Sequence, residues 1–341
     1  MKTLSKLITG GLFVGLFAQT LIGGDAEAAT YTLNFGTVAP EGTPWADNLY
    51  AAKRRIEAES NGEIEVRVFL GGSLGSEVEM VEDLISGQRL QGGGISTAAI
   101  AQGANVPLLM MPELPYLFRN FNEVDAVLDE VLFEPVSEDL MENGLVMGAW
   151  AENGWRSFAT NGPATTPEEL SAYKMRSQES PVHLAMYEAF GVQAVAKPVS
   201  EVLPALNTGI VDGFDNTPLF SLAAGWIGPV SHFTLSEHIY QPAAIVYSKA
   251  FYDSLPPHLQ QVLLGDPAAE SRSGRVGVRA LQEELVGNIR DSGKTVTTLT
   301  DEQRRVFARQ SRDVRRQFAV ENPELAEIFG AVQARLRSMR Q

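Results

Sequence analysis

Ser200-Glu201-Val202-Leu203-Pro204-Ala205-Leu206-Asn207-Thr208-Gly209-Ile210-Val211-Asp212-Gly213-Phe214-Asp215-Asn216 is the most informative stretch of this chain. Two shorter segments precede it, Pro167-Glu168-Glu169-Leu170 and Tyr173-Lys174-Met175-Arg176. The first opens a helix behind Thr166, and the second reads as a short strand that ends on an arginine. A further strand is expected over residues 194–197, with helices between. This alternation predicts α/β architecture with parallel sheets. In such a sheet the strands end at the crevice where ligands bind, so Arg176 is expected to face it. A guanidinium suits a carboxylate because its planar fork donates two parallel charge-assisted hydrogen bonds. On these residues alone, the alternative is an arginine that joins two elements by pairing with a nearby Asp or Glu.

Upstream, residues 31–38 are rich in β-formers and end at Pro40-Glu41-Gly42-Thr43-Pro44. Trp45, Leu49, Ala52 and Ile56 then recur at helical spacing until Asn61-Gly62 stops the helix. Ile64, Val66, Val68 and Leu70 alternate as a strand does. After the turn Gly71-Gly72-Ser73-Leu74-Gly75, Ser76 and Glu79 form a capping box that opens the next helix. Further strands are expected over residues 90–95 and 144–150, with a proline-rich apolar connection over residues 108–118. Residues 300–341 are helical in composition and carry nine arginines against six acids, which reads as an amphipathic helix pair with a solvated basic face.

Composition narrows the function. A chain of 341 residues, 44% hydrophobic and 20% charged, suits two ordinary globular domains. A net charge of −15 argues against nucleic acid as a partner, since phosphate binding needs a surplus of Lys and Arg. Lys2 and Lys6, the uncharged apolar residues 7–23 and Ala26-Glu27-Ala28 read as a signal peptide over residues 1–28, cleaved near Ala28. There is no cysteine, so neither disulfides, thiolate metal sites nor a lipoprotein anchor are available. A freely diffusing periplasmic protein is the expectation. The four histidines, His183, His232, His238 and His258, do not pair at metal-ligand spacing.

Residues 200–216, with Arg176 and with Glu152-Asn153-Gly154-Trp155-Arg156, resemble the signature of the DctP-type extracytoplasmic solute-binding proteins of TRAP (tripartite ATP-independent periplasmic) transporters. The resemblance runs over roughly residues 31–290 and includes residues 236–242 and 248–256. It implies a two-lobed, type II-like periplasmic binding fold with a ligand cleft between the lobes and a long helix near 265–295 bridging both. Domain I would comprise residues 29–152 and 240–280, and domain II residues 153–239 and 281–341. Arg176 would hold the carboxylate of a small organic acid, with Arg156 and the Asn216 amide assisting. Trp45, Glu77, Ser96, Thr97, Trp155 and Tyr240 would line the cleft. The partners implied are that acid and the small and large subunits of a membrane permease, with no cofactor and no catalysis. Two departures, Arg89-Leu90-Gln91-Gly92-Gly93 where relatives carry a Leu-Asp pair and Tyr173 for a usual leucine, leave ligand size open.

Two other readings compete. One is the receptor of an ABC transporter, which shares the two-lobed plan. The other is a serine hydrolase, because Gly71-x-Ser73-x-Gly75 matches a nucleophile elbow between a strand and a helix. Only about two strands precede that elbow, and no histidine stands in a triad context.

Overall fold

Nine strands join into one sheet in the computed structural model, which describes residues 29–341. The signal peptide expected over residues 1–28 lies outside the described residues. The strands are β1 (Tyr31–Thr37), β2 (Ile64–Phe69), β3 (Gly92–Ser96), β4 (Leu145–Thr160), β5 (Met175–Ser177), β6 (Ala194–Ala196), β7 (Gly213–Asn216), β8 (His232–Ser248) and β9 (Thr295–Thr298). Their order is β2-β1-β3-β8-β4-β7-β5-β6, with β9 against β8.

Two of these strands set the architecture. β4 and β8 are 16 and 17 residues long and pair antiparallel along most of their length. The C-terminal half of β8 pairs with β3, and its N-terminal half pairs with β9. Likewise β4 meets β7 only through Ser157, Phe158 and Ala159. Each long strand therefore belongs to one lobe at one end and to the other lobe at its other end. The expected parallel sheets are thus only part of the picture. β1–β2, β1–β3, β5–β6, β5–β7 and β8–β9 are parallel, while β3–β8, β4–β7 and β4–β8 are antiparallel. The cause is the crossing itself, since a chain that passes to the second lobe and returns must run back along its outward path.

The crossing is also where the strand pairing is irregular. Two of the three register shifts between β4 and β8 fall here, between Glu152 and Gly154 and between Arg156 and Phe158, the third lying between Met147 and Ala149, and Gly154 has φ +101°, a backbone shape that glycine adopts without a Cβ penalty. The sequence suggested a strand ending near residue 150, because Glu152, Asn153 and Arg156 interrupt the apolar run. In the fold the strand runs on through them, with Glu152 and Arg156 buried at the hinge and Asn153 half-buried.

Each lobe has apolar clusters on both faces of its part of the sheet. Leu33, Leu49, Ile64 and Leu259 anchor one in lobe one, and Phe158, Met175, Tyr187 and Phe307 anchor one in lobe two. The bridging helix is two helices, Pro267–Ala280 and Gln282–Asp291, broken at Leu281, whose N–H reaches back to Val278 O at 3.3 Å. That i−3 bond is tighter than the helical i−4 pattern and marks the break. The first helix lies on β4, where Trp150 N–H donates to Ser271 Oγ (2.9 Å). Arg275 clamps it to Asp129 through two bonds of 2.7 and 2.8 Å. The last helix, Ala326–Met339, returns to lobe one, with Arg335 on Glu130 and Arg340 on Glu123. Assigning all of residues 281–341 to the second domain therefore leaves out this return.

Candidate functional site

A cleft of about 890 Å³, its mouth included, lies between the lobes. This is within the range of roughly 300–1,000 Å³ common for small-molecule sites. Lobe one contributes Thr37, Trp45, Glu77 and Ser96, lobe two contributes Arg176, Gln178, Asn216 and Thr217, and the crossing strands contribute Asn153, Arg156 and Gln241.

The lobe-one side follows from local rules. Ser76 accepts the Glu79 N–H (3.3 Å) and Glu79 accepts the Ser76 N–H (2.8 Å), so the capping box forms as the sequence suggests. This places Glu77 in the first turn, facing the cleft, where it accepts Ser96 N–H (2.8 Å) and Ser96 Oγ–H (2.7 Å). Burial raises the Glu77 carboxyl, with the two Ser96 bonds acting against the rise. Trp45 donates its indole N–H to Glu152 O (2.8 Å) and so ties the lobe-one wall to the hinge. A Cβ on Gly94 would stand 3.1 Å from the Trp45 ring, so the bare backbone of β3 is what lets the indole sit there.

Arg176 occupies the middle of β5, between β6 and β7, and is 3% exposed. Its Nε and Nη2 both donate to Lys197 O, at 3.0 and 2.6 Å. Its Cζ lies 5.2 Å from the centre of the Trp226 ring, a cation–π contact. Among the described residues no carboxylate pairs with it, and Nη1 has no hydrogen-bond partner. Burial pushes its pKa down to about 10, helped by the Arg156 charge and opposed by Asp215. It stays cationic at neutral pH. A buried cation held by one carbonyl and one ring, on the wall of a cleft, is a socket for an anion.

Arg156 is the opposite case. It is 1% exposed, and every donor group of its guanidinium is in use. Nε donates to Asp215 Oδ2 (2.6 Å), Nη2 to Asp215 O (2.5 Å), and Nη1 to Gln241 Oε1 (2.7 Å) and Gln178 Oε1 (3.2 Å). Asp215 also accepts from Tyr187 Oη (2.8 Å) and His238 Nε2 (3.3 Å). Burial alone would raise Asp215, but the Arg156 charge and the His238 bond hold it well below the usual carboxylate range. Burial lowers His238 to about 4, against the pull of Asp215, and its ring stacks on Phe158 at 4.1 Å. The network ends on Glu113 of lobe one, which accepts Thr97 Oγ1–H (2.6 Å), Ala98 N–H (2.9 Å), Gln178 Nε2–H (2.9 Å) and His183 Nε2–H (2.8 Å).

Of the nine side chains expected at the ligand, the cleft brings together Arg176, Arg156, Asn216, Glu77, Ser96 and Trp45. Asn216 accepts the Thr217 N–H at Oδ1 (2.7 Å), and its Nδ2 has no partner among the described residues. Thr97, Trp155 and Tyr240 lie elsewhere. Thr97 is spent on Glu113. Trp155 and Tyr240 are register partners whose rings meet at 5.3 Å, in an aromatic cluster with Phe118 and Phe121. Adjacent strand residues point to opposite faces, so Trp155 and Tyr240 turn away because Arg156 and Gln241 turn in. Gln178, Gln241, Asn153, Asp215 and Glu113 were not anticipated. Only Asp215, a charge inside a short apolar strand, carried a signal of its own.

The model for bacterial extracellular solute-binding proteins of family 7 matches residues 35–322. The chain belongs to that family. This family 7 protein is 31% identical over 289 residues to a solute-binding protein of Verminephrobacter eiseniae, covering 83% of each chain. It is 26% identical to the 2,3-diketo-L-gulonate-binding periplasmic protein YiaO of Escherichia coli, over 96% of this chain and 98% of that one. A solved TRAP periplasmic solute-binding protein of Citrobacter koseri, with bound D-glucuronate, superposes with a TM-score of 0.81 at 26% identity, covering 89% of this chain and 98% of that one. The C. koseri structure is that of a TRAP receptor, as the motif around Arg176 suggests, and neither the ABC reading nor the hydrolase reading is favoured. Ser73 sits in the turn after β2, and no histidine bonds its hydroxyl among the described residues.

Proposed function

We propose that this family 7 receptor captures a six-carbon sugar acid in the periplasm, with Arg176 holding its carboxylate, and delivers it to a TRAP permease made of small and large membrane subunits. The observation that carries the reading is the buried Arg176 guanidinium, charged, on the cleft wall and unmatched by any carboxylate of the described residues. The sugar acid follows from the relatives, since the E. coli protein is named for diketogulonate and the C. koseri structure holds D-glucuronate. The cleft has the complementary groups. Asn216 Nδ2 and the Asn153 amide can meet hydroxyls, the Glu77–Ser96 pair lies across the cleft, and Trp45 offers a flat wall.

Capture requires no bond making or breaking. The lobes, residues 29–152 with 240–280 and residues 153–239 with most of the remainder, close about the crossings of β4 and β8. Closure is driven by contacts the ligand makes to both lobes only when the cleft is shut. Arg156 holds β4, β7 and β8 together behind the ligand and keeps the pocket floor rigid. Export would remove the leader near Ala28, which N-terminal sequencing of the periplasmic protein checks. The binding test is a thermal-shift screen with D-glucuronate, D-galacturonate, small dicarboxylates and neutral hexoses. A shift confined to sugar acids is the expected result, and a shift with neutral sugars alone overturns the role of Arg176.

A further inference from the structure

The C-terminal arginines, read from sequence as the solvated face of a helix pair, instead line a groove. Helices Asp301–Gln310 and Arg312–Glu321 supply one part of its wall, helix Ala326–Met339 another, and residues 116–119 with Trp155 complete it. The groove measures about 2300 Å³, mouth included, and lies outside the ligand cleft. Eight arginines line it against three carboxylates, Glu237, Asp301 and Glu302, in a chain where acids outnumber Lys and Arg 42 to 27. Some of that charge is internally matched, since Arg304 pairs with Glu237 and Arg340 with Glu123. Arg119, Arg312, Arg315 and Arg337 pair with no carboxylate among the described residues. Arg315 instead donates to the carbonyls of Pro115 (2.8 Å) and Tyr116 (3.1 Å). Tyr116 and Phe329, both half-buried, add apolar surface between the charges.

We infer that this groove docks an acidic peptide segment of a partner protein, one that carries aromatic or aliphatic residues among its carboxylates. Three observations select that occupant. Four unmatched guanidinium groups in one concavity repel one another, and carboxylates relieve that repulsion through bidentate bonds. The apolar patches between them ask for side chains that a simple polyanion does not have. The concave shape admits a narrow segment, whereas a flat anionic bilayer meets only the rim and is repelled at longer range by a net charge of −15. A second copy of this chain would dock head to tail, groove to acidic surface, a contact that does not close on itself. The inference goes beyond the sugar-acid reading and does not depend on it.

Fluorescence anisotropy on the whole protein tests this with a fluorescein-labelled peptide, Glu-Glu-Trp-Glu-Glu-Trp-Glu-Glu, and its lysine counterpart as control. The expected result is saturable binding of the acidic peptide, weakened by added salt. Arg119→Glu with Arg312→Glu should cut that affinity by about tenfold or more, as removal of charge partners at an interface does. Both residues are exposed, so the double variant should melt with the wild type and bind D-glucuronate as the wild type does. A variant that binds the peptide as well as the wild type overturns the inference. So does a wild type that ignores the peptide but co-sediments with vesicles of phosphatidylcholine and phosphatidylserine, or that self-associates through this face.

Discussion

Arg176 and Arg156 sit in the same cleft, almost equally buried, and have opposite surroundings. Arg156 spends every donor group on Asp215, Gln178 and Gln241, within a net that joins both lobes. Arg176 has one carbonyl and one indole ring, with no carboxylate among the described residues. Burial costs both their hydration, and only Arg156 recovers it within the chain. A buried charge balanced within the chain serves the fold. One left unbalanced serves a ligand that brings the missing charge.

The sharpest way to break that comparison is to remove each arginine in turn. Arg156→Ala leaves Asp215 buried without its cation, and breaking such a pair costs about 3–5 kcal/mol of stability. The expected outcome is a large drop in melting temperature with or without ligand, read by calorimetry. Arg176→Ala removes an unmatched charge, so the unliganded protein should melt at or above the wild-type temperature. Its affinity for the sugar acid should fall by about 2–5 kcal/mol, roughly 30- to 4,000-fold, with Arg176→Lys recovering part of it. If instead the two alanine variants lose stability to a similar extent, the distinction between the residues disappears.

Acid sharpens the comparison further. His238 titrates at about 4 in the fold against 6.5 for a free histidine, so the unfolded chain binds the extra proton first as pH falls. Stability should therefore decline between pH 6.5 and 4, by about 3 kcal/mol for this histidine. Asp215, held low, adds a further loss below its ordinary value of 3.8. Urea midpoints across that range check it, and His238→Gln should flatten the upper part of the curve. Ligand affinity between pH 6.5 and 8 should stay level, because Arg176 keeps its charge throughout. The smallest effects belong to the supports of Arg176. Trp226→Leu removes a cation–π contact worth about 0.5–2 kcal/mol, and Asn216→Ala removes one amide hydrogen bond worth about 1 kcal/mol. Trp226→Leu should weaken binding by about 2- to 30-fold and Asn216→Ala by about fivefold.

The same contrast explains what the sequence could reveal. β1, β2 and the helix opened by Ser76 and Glu79 obey local periodicity and capping, so their positions are legible. Arg176 is legible too, because a short strand between helices ends at the crevice. The second half of β4 is hidden by Glu152, Asn153 and Arg156, of which the two charged residues find their partners, Arg279 and Asp215, far along the chain. The partners of Arg156 come from Gln178, Asp215 and Gln241, three segments that no spacing rule connects. Glu113 lies inside an apolar, proline-rich stretch and gives no sign that it receives five hydrogen bonds. Trp155 and Tyr240 show the reverse error, since nearness in sequence to Arg156 and Gln241 places them on the opposite strand face.

The most direct test is isothermal titration of wild type and Arg176→Ala with the sugar acid that most raises the wild-type melting temperature, alongside melts of both unliganded proteins. The variant should lose the binding heat while its unliganded melt is undiminished. A variant that still binds within tenfold of wild type, or that unfolds well below it when unliganded, would contradict the assignment of Arg176 as the ligand's anchor.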